Sequence, residues 1–244
     1  MNHTFTLKHT DFVQNFLLPI SKLSDDIVLT VSSDRISTVC STVDTGIVMC
    51  AEHAGVFDVV QDIKLNVPDV KRFLKLLDGL SVEDIKLTLK DNHLSYKDKK
   101  IKFNYFLLED GFVSRSPVSA SKIKALESDI EFNLTSEKLS EILRSQSIVT
   151  DATKVYFYVQ DGEVYAELND RERQNINNMT FHVTDMYIGD FNKTLIIDIQ
   201  ALRMLLGLKN DKFTVKINNK VNVFLFDIED SDTKIRFAIS TLIK

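Results

Sequence analysis

The sequence predicts an α+β protein with two similar domains in tandem, each carrying two helices on an antiparallel sheet. The first observation is that segments of alternating apolar and polar residues greatly outnumber helical segments, which is typical of sheet-rich proteins. The second is a repeat. The motif Phe5-x-Leu7, followed by a polar stretch and a helical pattern, returns half-way along the 244-residue chain as Phe132-x-Leu134. Repetition on this scale indicates a duplicated domain.

The pattern in the first half of the sequence predicts a unit of one strand, one helix and three strands, and then the same unit again. Thr10 is expected to cap the first helix, and Pro19 to end or kink it, because proline has no amide to donate. The second helix is expected to open with Pro68 in its first turn and to stop at Gly79. The predicted strands are FTLK, DIVLTVSS, RISTVCSTVD, GIVMCAEHA, VVQDIKLNV, VEDIKLTLK, HLSYKD and KIKFNYFLLE.

The segment DGFVSRSPVSASKIKALESD interrupts this order. It is rich in serine, contains Gly111 and Pro117, and lacks sustained periodicity, so it indicates a linker. We therefore predict one domain at residues 1–110, a connector at residues 111–128, and a second domain at residues 129–244.

The second half repeats the order of the first. A helix is expected after IEFNLT, and another between Asp198, as its cap, and Gly207. The dipeptide Asp161-Gly162 predicts a tight hairpin between KVYFYVQ and EVYAELN. The remaining predicted strands are NMTFHVTD, KTLIIDI, KFTVKIN, KVNVFLFDI and TKIRFAISTLI.

The charge balance argues against a protein that grips nucleic acid tightly. The chain has 35 acidic and 30 basic residues, a formal net charge of −5, whereas proteins that hold DNA through many phosphate contacts are usually basic. A role on DNA would therefore depend on local charge or on geometry.

The sequence predicts a cytoplasmic protein without a membrane span. Its N-terminal stretch MNHTFTLKHTDF lacks the basic and apolar regions of a secretory signal, and no apolar run is long enough to cross a bilayer. The spacing of Cys40 and Cys50 permits a disulfide, but two reduced core thiols fit a cytoplasmic protein better.

No motif for catalysis is present. The sequence lacks the phosphate loop GxxxxGK[ST], the dinucleotide motif GxGxxG, the metalloprotease motif HExxH and the nucleophile elbow GxSxG. Its five histidines are scattered, and the acidic run Asp227–Asp232 fits a solvated turn better than a metal site. We therefore expect a protein that is not an enzyme and has no cofactor and no metal.

Basic residues lie on the polar faces of the predicted helices, although Glu137 and Glu141 accompany them in the third helix. Any surface helix carries some lysine and arginine, so this pattern alone does not predict DNA binding. The basic residues in question are Lys71, Arg72, Lys75, Lys138, Arg144 and Arg203, with Lys22 and Lys209 near helix ends.

The doubled pattern resembles the DNA sliding clamps, and within that family the clamp of T4-like bacteriophages. The resemblance covers nearly the whole chain and is clearest in LTSEKLSEILRSQSIVTDATKVYFYVQDGEVYAELND, with HTDFVQNFLLPISKLSDDIVLTVSSDRI as the matching opening of the first domain. It implies a head-to-tail homotrimeric ring that encircles double-stranded DNA, with helices lining the hole. The implied partners are a replicative DNA polymerase and a clamp loader ATPase, in the host cytoplasm if a phage encodes the chain.

The resemblance also implies three sets of site residues. The helix residues named above, including Lys22 and Lys209, would face DNA. The last strand of the first domain would meet a middle strand of the second at the subunit interface, with Lys102, Asn104, Phe181 and His182 as candidates. Apolar residues near the connector would form a pocket for partner peptides, or they would simply hold the connector in place. The candidates are Phe112, Val113, Pro117, Val118, Ile239, Leu242 and Ile243.

Two other functions fit the residues without the resemblance. One is a structural or assembly protein built from duplicated sheet domains, such as a virion component, which would form oligomers but ignore DNA. The other is a small-molecule enzyme with a site at the junction of the two halves. The second predicts a convergent set of catalytic side chains that the sequence does not offer.

Overall fold

The computed structural model describes residues 3–208 and 210–242, which form two compact units. The first unit comprises residues up to Lys124 together with Glu229–Ile235. The second comprises Ala125–Ile228 and the residues from Arg236 onward. The division after Lys124 falls inside the segment that we predict as the connector.

The first unit contains two antiparallel four-stranded sheets, with strand orders β1-β6-β7-β8 and β4-β3-β2-β5. Its helices are α1, with a π-helical segment Asp11–Leu17 and an α-helical segment Leu18–Leu23, α2 (Val70–Asp78) and the short α3 (Ala120–Lys124). The strands are β1 (His3–Lys8), β2 (Ile27–Val31), β3 (Arg35–Ser41), β4 (Ile47–Ala54), β5 (Ile63–Val67), β6 (Asp84–Lys90), β7 (His93–Lys97) and β8 (Lys102–Phe106).

Two predictions about these helices are wrong, and one of the two effects expected of Pro19 is absent. Thr10 does not cap α1, because its own backbone is helical. Pro19 does not end α1, because Leu18 N–H donates to Val13 O in a wide turn and the proline lies in the first turn of the α-helical segment, where a missing amide costs little. Pro68 lies outside α2. Asp69 caps this helix, with Oδ1 accepting from Arg72 N at 2.8 Å.

The second unit repeats this arrangement, with strand orders β12-β11-β10-β14 and β13-β9-β15-β16-β17. Its helices are α4 (Ser136–Ser145) and α5 (Ile199–Arg203). Its strands are β9 (Ile130–Thr135), β10 (Lys154–Gln160), β11 (Glu163–Asn169), β12 (Met179–Thr184), β13 (Tyr187–Gly189), β14 (Leu195–Asp198), β15 (Lys212–Asn218), β16 (Val223–Asp230) and β17 (Thr233–Ser240).

The strand orders confirm the duplication. The order β4-β3-β2-β5 corresponds strand by strand to β12-β11-β10-β14, and β1-β6-β7-β8 corresponds to β9-β15-β16-β17. The short elements β13 and α3 stand outside the predicted pattern. Asp161 and Gly162 have φ angles of 52° and 83° and close the predicted hairpin, with Gln160 opposite Glu163.

The α4 and α5 helices have caps of the expected kind. Thr135 Oγ1 accepts from Lys138 N at 3.1 Å, and Asp198 Oδ1 accepts from Gln200 N at 2.7 Å. The α5 helix is shorter than predicted, because successive single turns replace it after Arg203 and lead to the left-handed Gly207.

Both cysteines are free thiols, as expected. They lie on the paired strands β3 and β4, where Cys40 is opposite Met49 and Cys50 is opposite Val39. Residues that are one position out of register point to opposite faces of a sheet, so the two sulfurs do not face each other. Burial raises the pKa of Cys40 to about 12, which keeps this thiol protonated. Among the helices of the described residues, none is long and apolar enough to cross a membrane.

The core of the first unit contains a buried histidine. The ring of His53 lies 5.5 Å from Phe12 and 5.9 Å from Phe16, centroid to centroid, and its Nδ1 is 3.1 Å from Thr233 Oγ1. Burial lowers the pKa of His53 below its usual value, because an apolar pocket disfavours the charged imidazole.

We predict that this histidine makes the fold sensitive to acid. Between the depressed folded pKa and the unfolded pKa, the unfolded state binds a proton that the folded state refuses, so stability falls as pH drops below about 6.5. The loss reaches at most about 1.4 kcal/mol per pH unit. Urea unfolding of His53→Gln should show a smaller decrease in free energy between pH 7 and pH 5 than wild type. The half-exposed His93, replaced by glutamine, is the control, and equal slopes for wild type and His53→Gln would contradict the prediction.

Candidate nucleic-acid and partner interfaces

The exposed side of α2 carries three predicted DNA-facing residues. Lys71, Arg72 and Lys75 are exposed, while Val70, Phe73 and Leu77 of the same helix are buried. Apolar and basic residues alternate along α2 at helical spacing, so the helix has one buried apolar face and one exposed basic face.

An acidic neighbour moderates this face. Lys71 Nζ lies 2.7 Å from Asp25 Oδ1, and this hydrogen bond and charge raise the pKa of Lys71. Asp78, at the end of α2, accepts from Gln14 Nε2 at 2.7 Å. The helix face of the first unit is therefore only weakly basic.

In the second unit the structure brings Arg144 and Arg203 together. They come from α4 and α5 and line one open groove of about 770 Å³. Arg144 Nε donates to Ser140 O at 3.2 Å, and the guanidinium of Arg203 donates to Gln146 Oε1. Ser147 and Thr150 add hydroxyl groups, and the full lining is Ser140, Leu143, Arg144, Gln146, Ser147, Thr150, Arg203 and Leu206.

This groove has the chemistry of a phosphate contact. Among the described residues, neither Arg144 nor Arg203 has a carboxylate partner. Guanidinium groups bind phosphate oxygens through paired N–H donors, and hydroxyl groups can add further hydrogen bonds. The groove is therefore the most basic helix-side feature of the second unit.

The other predicted DNA-facing residues are weaker candidates or lie elsewhere. Lys138 Nζ is held by Glu141 Oε2 at 2.7 Å, which offsets its charge. Lys22 is exposed in the last turn of α1. Lys209 lies outside the described residues.

The connector runs as a strap over the outer face of the β4-β3-β2-β5 sheet. Asn66 Nδ2 donates to Leu108 O at 3.1 Å just before the strap, and within it Ser114 N donates to Asp26 Oδ2 at 3.0 Å. At its end Lys124 Nζ meets Glu52 Oε1 at 2.6 Å.

A cavity of about 320 Å³ lies between the strap and the sheet. We did not predict that β2, β3 and β4 form one wall of this cavity. Their sequences carry apolar residues on both faces, which is typical of a sheet that is covered on both sides. The lining residues are Val28, Thr30, Ser37, Thr38, Val39, Cys50, Ala51, Glu52, Lys64, Ser114, Arg115, Ser116, Val118, Ser119, Ala120 and Lys124.

Of the predicted peptide-pocket residues, Val118 alone lines this cavity among those described. Phe112 is 72% exposed and Leu242 is 38% exposed. The remaining ones do not share one surface: Pro117 is exposed, Val113 and Ile239 are buried, and Ile243 lies outside the described residues.

The predicted interface residues lie on two strands at the ends of their sheets. Lys102 and Asn104 are exposed on β8, and His182 is exposed on β12. Phe181 is 6% exposed and faces the core, so its backbone, and not its side chain, is available to a partner.

Comparison with solved structures gives the fold. A. fulgidus PCNA, solved with the C-terminal region of FEN-1 bound, superposes with a TM-score of 0.81 at 11% sequence identity, covering 99% of both chains. Proliferating Cellular Nuclear Antigen from Entamoeba histolytica superposes with a TM-score of 0.78 at 13% identity, covering 99% of this chain and 98% of the other. This chain has the PCNA fold. No protein-family model and no curated protein matches its sequence.

We predict that the ion pair of Glu52 with Lys124 holds the strap down. In Glu52→Gln, amide hydrogens of residues 114–124 should exchange several-fold faster, because the end of the strap loses its charged anchor. The melting temperature should change little, since a partly exposed pair contributes about 1 kcal/mol or less. Hydrogen–deuterium exchange with mass spectrometry measures the effect, and Lys122→Gln, exposed on the same helix, is the control. Unchanged exchange in Glu52→Gln would show that other contacts hold the strap.

Proposed function

We propose that this chain is a DNA sliding clamp, a non-enzymatic protein that encircles duplex DNA and tethers the replicative DNA polymerase. The observation that carries the proposal is the PCNA fold over essentially the full length of the chain. The groove of Arg144 and Arg203, on the helices of an otherwise acidic chain, supports it.

The weak positive charge of the helices suits sliding. Each phosphate that a protein neutralises adds salt-dependent affinity, so a surface with many such contacts would hold DNA in place. A closed ring needs no such grip because topology retains the DNA. Lysine and arginine on the helices then suffice to keep the duplex centred as it moves.

The ring that we propose is a homotrimer joined head to tail through β8 and β12. The two strands are different surfaces, and a contact between unlike surfaces generates a ring when its rotation closes. Within the clamps, the sequence resemblance points to those of T4-like bacteriophages. A viral origin, a clamp loader ATPase and the host cytoplasm follow from that resemblance and form part of the proposal.

Partner proteins are proposed to dock through short peptides beside the connector. A. fulgidus PCNA binds the C-terminal region of FEN-1, and in this chain we propose the strap and its cavity as the place for a polymerase tail. The exposed Phe112 is available there as an apolar contact.

We predict that reversing the charge of the groove separates DNA contact from assembly. Arg144→Glu/Arg203→Glu should keep the oligomeric mass of wild type but shorten primer-extension products about tenfold or more, because carboxylates repel the duplex. Primer extension with the polymerase and loader of the same source measures this.

The control is Lys86→Glu/Lys90→Glu, which makes the same charge change at exposed positions of β6. Wild type loaded on nicked circular DNA should also resist high salt and be released when the circle is cut, which a structural assembly protein would not show. Full-length products from Arg144→Glu/Arg203→Glu would show that the groove is not part of the DNA-facing surface.

We also predict that a C-terminal peptide of the cognate polymerase binds the connector region. Phe112→Ala should weaken its binding about tenfold, equivalent to about 1.4 kcal/mol, because this exposed aromatic side chain would be an apolar anchor. Fluorescence anisotropy measures the affinity, and Ile148→Ala, an exposed apolar residue that follows α4, is the control. An unchanged affinity would place the pocket elsewhere.

A further inference from the structure

A row of polar side chains crosses the sheet beneath the strap. Lys64 of β5 is directly opposite Thr30 of β2. Thr30 is in turn opposite Ser37 of β3, and Ser37 is opposite Glu52 of β4. Directly opposed residues of neighbouring strands share one face of a sheet, and all four line the cavity of about 320 Å³. One row of the sheet wall is therefore polar from end to end.

The neighbouring part of the same wall is apolar. Val39 of β3 is directly opposite Cys50 of β4, and both line the cavity together with Val28 of β2. On the strap side, Val118 and Ala120 add further apolar surface. An apolar lining with a few polar groups at fixed positions is the usual arrangement of a small-molecule site.

The positive charge of Lys64 is not balanced within this lining. The other two cations of the cavity have carboxylate partners: Lys124 Nζ lies 2.6 Å from Glu52 Oε1, and a guanidinium nitrogen of Arg115 lies 3.3 Å from Asp110 Oδ1. Among the described residues, no carboxylate lies within ion-pair distance of Lys64. The cavity therefore has an uncompensated cation in its lining.

Hydroxyl groups next to Lys64 also lack partners. Within the part of the chain that the structure describes, the hydroxyls of Thr30, Ser37 and Ser114 form no hydrogen bond. Thr38 Oγ1, in the same lining, differs because it donates to Val28 O at 2.9 Å. Free hydroxyls and an ammonium group are donors, and hydrogen bonds from such donors to an ionised oxygen are stronger than those between neutral groups. These groups are therefore suited to an oxyanion.

The size of the cavity indicates a small ligand. Pockets for small molecules have volumes of about 300–1,000 Å³, and this cavity of about 320 Å³ lies at the lower end of that range. The strap covers it from Ser114 to Lys124, and the pair of Lys124 with Glu52 holds the end of the cover. Every lining residue belongs to the first unit, so the site is complete within that unit.

We infer that this cavity is a binding site for a small molecule that carries a phosphate or carboxylate group and a short apolar portion. The oxyanion accepts from Lys64 and from the hydroxyls of Thr30 and Ser37, and the apolar portion packs against Val28 and Val39. Because the ligand is enclosed between the sheet and the strap, its binding holds the strap on the sheet.

The inference goes beyond the proposed function, because it needs only the fold of the first unit. One consequence does rest on the proposed function. A bound ligand would compete with the polymerase tail that is proposed for the same cavity, and would so regulate the docking of the tail.

Binding is tested with three probes that carry the same three-carbon chain: propyl phosphate, butyrate and the uncharged butyramide. Saturation-transfer difference NMR of the probe methyl protons, at constant ionic strength, measures each affinity. At least one oxyanion should bind with a Kd of about 1 mM or tighter, and butyramide should bind about tenfold more weakly. The stronger of the two oxyanions identifies the site as one for phosphates or one for carboxylates.

Three variants test the role of Lys64. Lys64→Gln should weaken oxyanion binding about tenfold, because a charged donor is lost, and the isosteric Thr30→Val should weaken it about threefold. Lys86→Gln, an exposed lysine on the other sheet of the first unit, is the control and should bind as wild type does. Hydrogen–deuterium exchange locates the site: the bound oxyanion should slow exchange of residues 114–124 in wild type and leave it unchanged in Lys64→Gln.

Three results would overturn the inference. The first is equal affinity of wild type and Lys64→Gln, and the second is binding of butyramide as tight as that of both oxyanions, since either would mean that the charge is not read. The third is slowed exchange in wild type that excludes residues 114–124.

The outcomes also separate this inference from the proposed function. If the oxyanions bind as expected but wild type is not retained on circular DNA, the clamp function fails and the site stands. If wild type is retained on DNA but neither oxyanion binds, the site fails and the clamp function stands. A polymerase peptide that needs Lys64, in a chain that binds neither oxyanion, would assign this lysine to the tail and overturn the small-molecule site.

Discussion

Antiparallel sheets present a row of unpaired N–H and C=O groups at each edge, and most of this structure can be understood from how the chain satisfies them. The segment before the connector gives β5 a backbone partner through Leu108, and the C-terminal residues give β14 one through Leu242. The sequence places both residues near the ends of predicted strands, and in the structure each pairs with the edge of another strand. The edges of β8 and β12 have no comparable cover among the described residues. Open edges of this kind are templates for pairing with another chain, which is why the proposed ring is joined through them.

Duplication supplied two copies of one framework, and the copies have since been adapted differently. In the first unit the outer face of the β4-β3-β2-β5 sheet is covered by the strap, and small or apolar residues such as Val39 and Cys50 lie beneath it. The corresponding face of the second unit carries Tyr158 stacked on Tyr165 at 5.9 Å, next to His182. On this face the guanidinium of Arg171 lies over the Tyr156 ring at 4.5 Å, so a side chain covers part of it, whereas in the first unit the strap covers small residues. The same strand order therefore hosts a cavity in one unit and an aromatic surface in the other.

The sequence was sufficient for features that a local signal encodes. Alternating residues located the long strands, Asp161-Gly162 located a hairpin, and the repeat of Phe5-x-Leu7 predicted the common fold of the two units. Elements such as α3 and β13 are too short for periodicity to reveal. The π-helical turn before Pro19, in which the stacked rings of Phe12 and Phe16 are buried, is not indicated by the spacing of apolar residues. Likewise, nothing in the spacing of Arg144 and Arg203 indicates that their guanidinium groups share a groove, since tertiary packing of α4 against α5 brings them together.

The two proposed interfaces respond to salt differently, and this has a consequence for the way a ring of this chain would release DNA. Salt screens the attraction between helix arginines and phosphates, whereas the backbone hydrogen bonds proposed to join β8 to β12 involve no charged side chain. Loss of the first interaction leaves an encircled duplex still encircled, because topology and not affinity retains it. Release from DNA would therefore be governed by the joint, where backbone pairing of β8 with β12 remains when the charges are screened. A chain with few basic residues on its helices can then remain on DNA for as long as its edges remain paired.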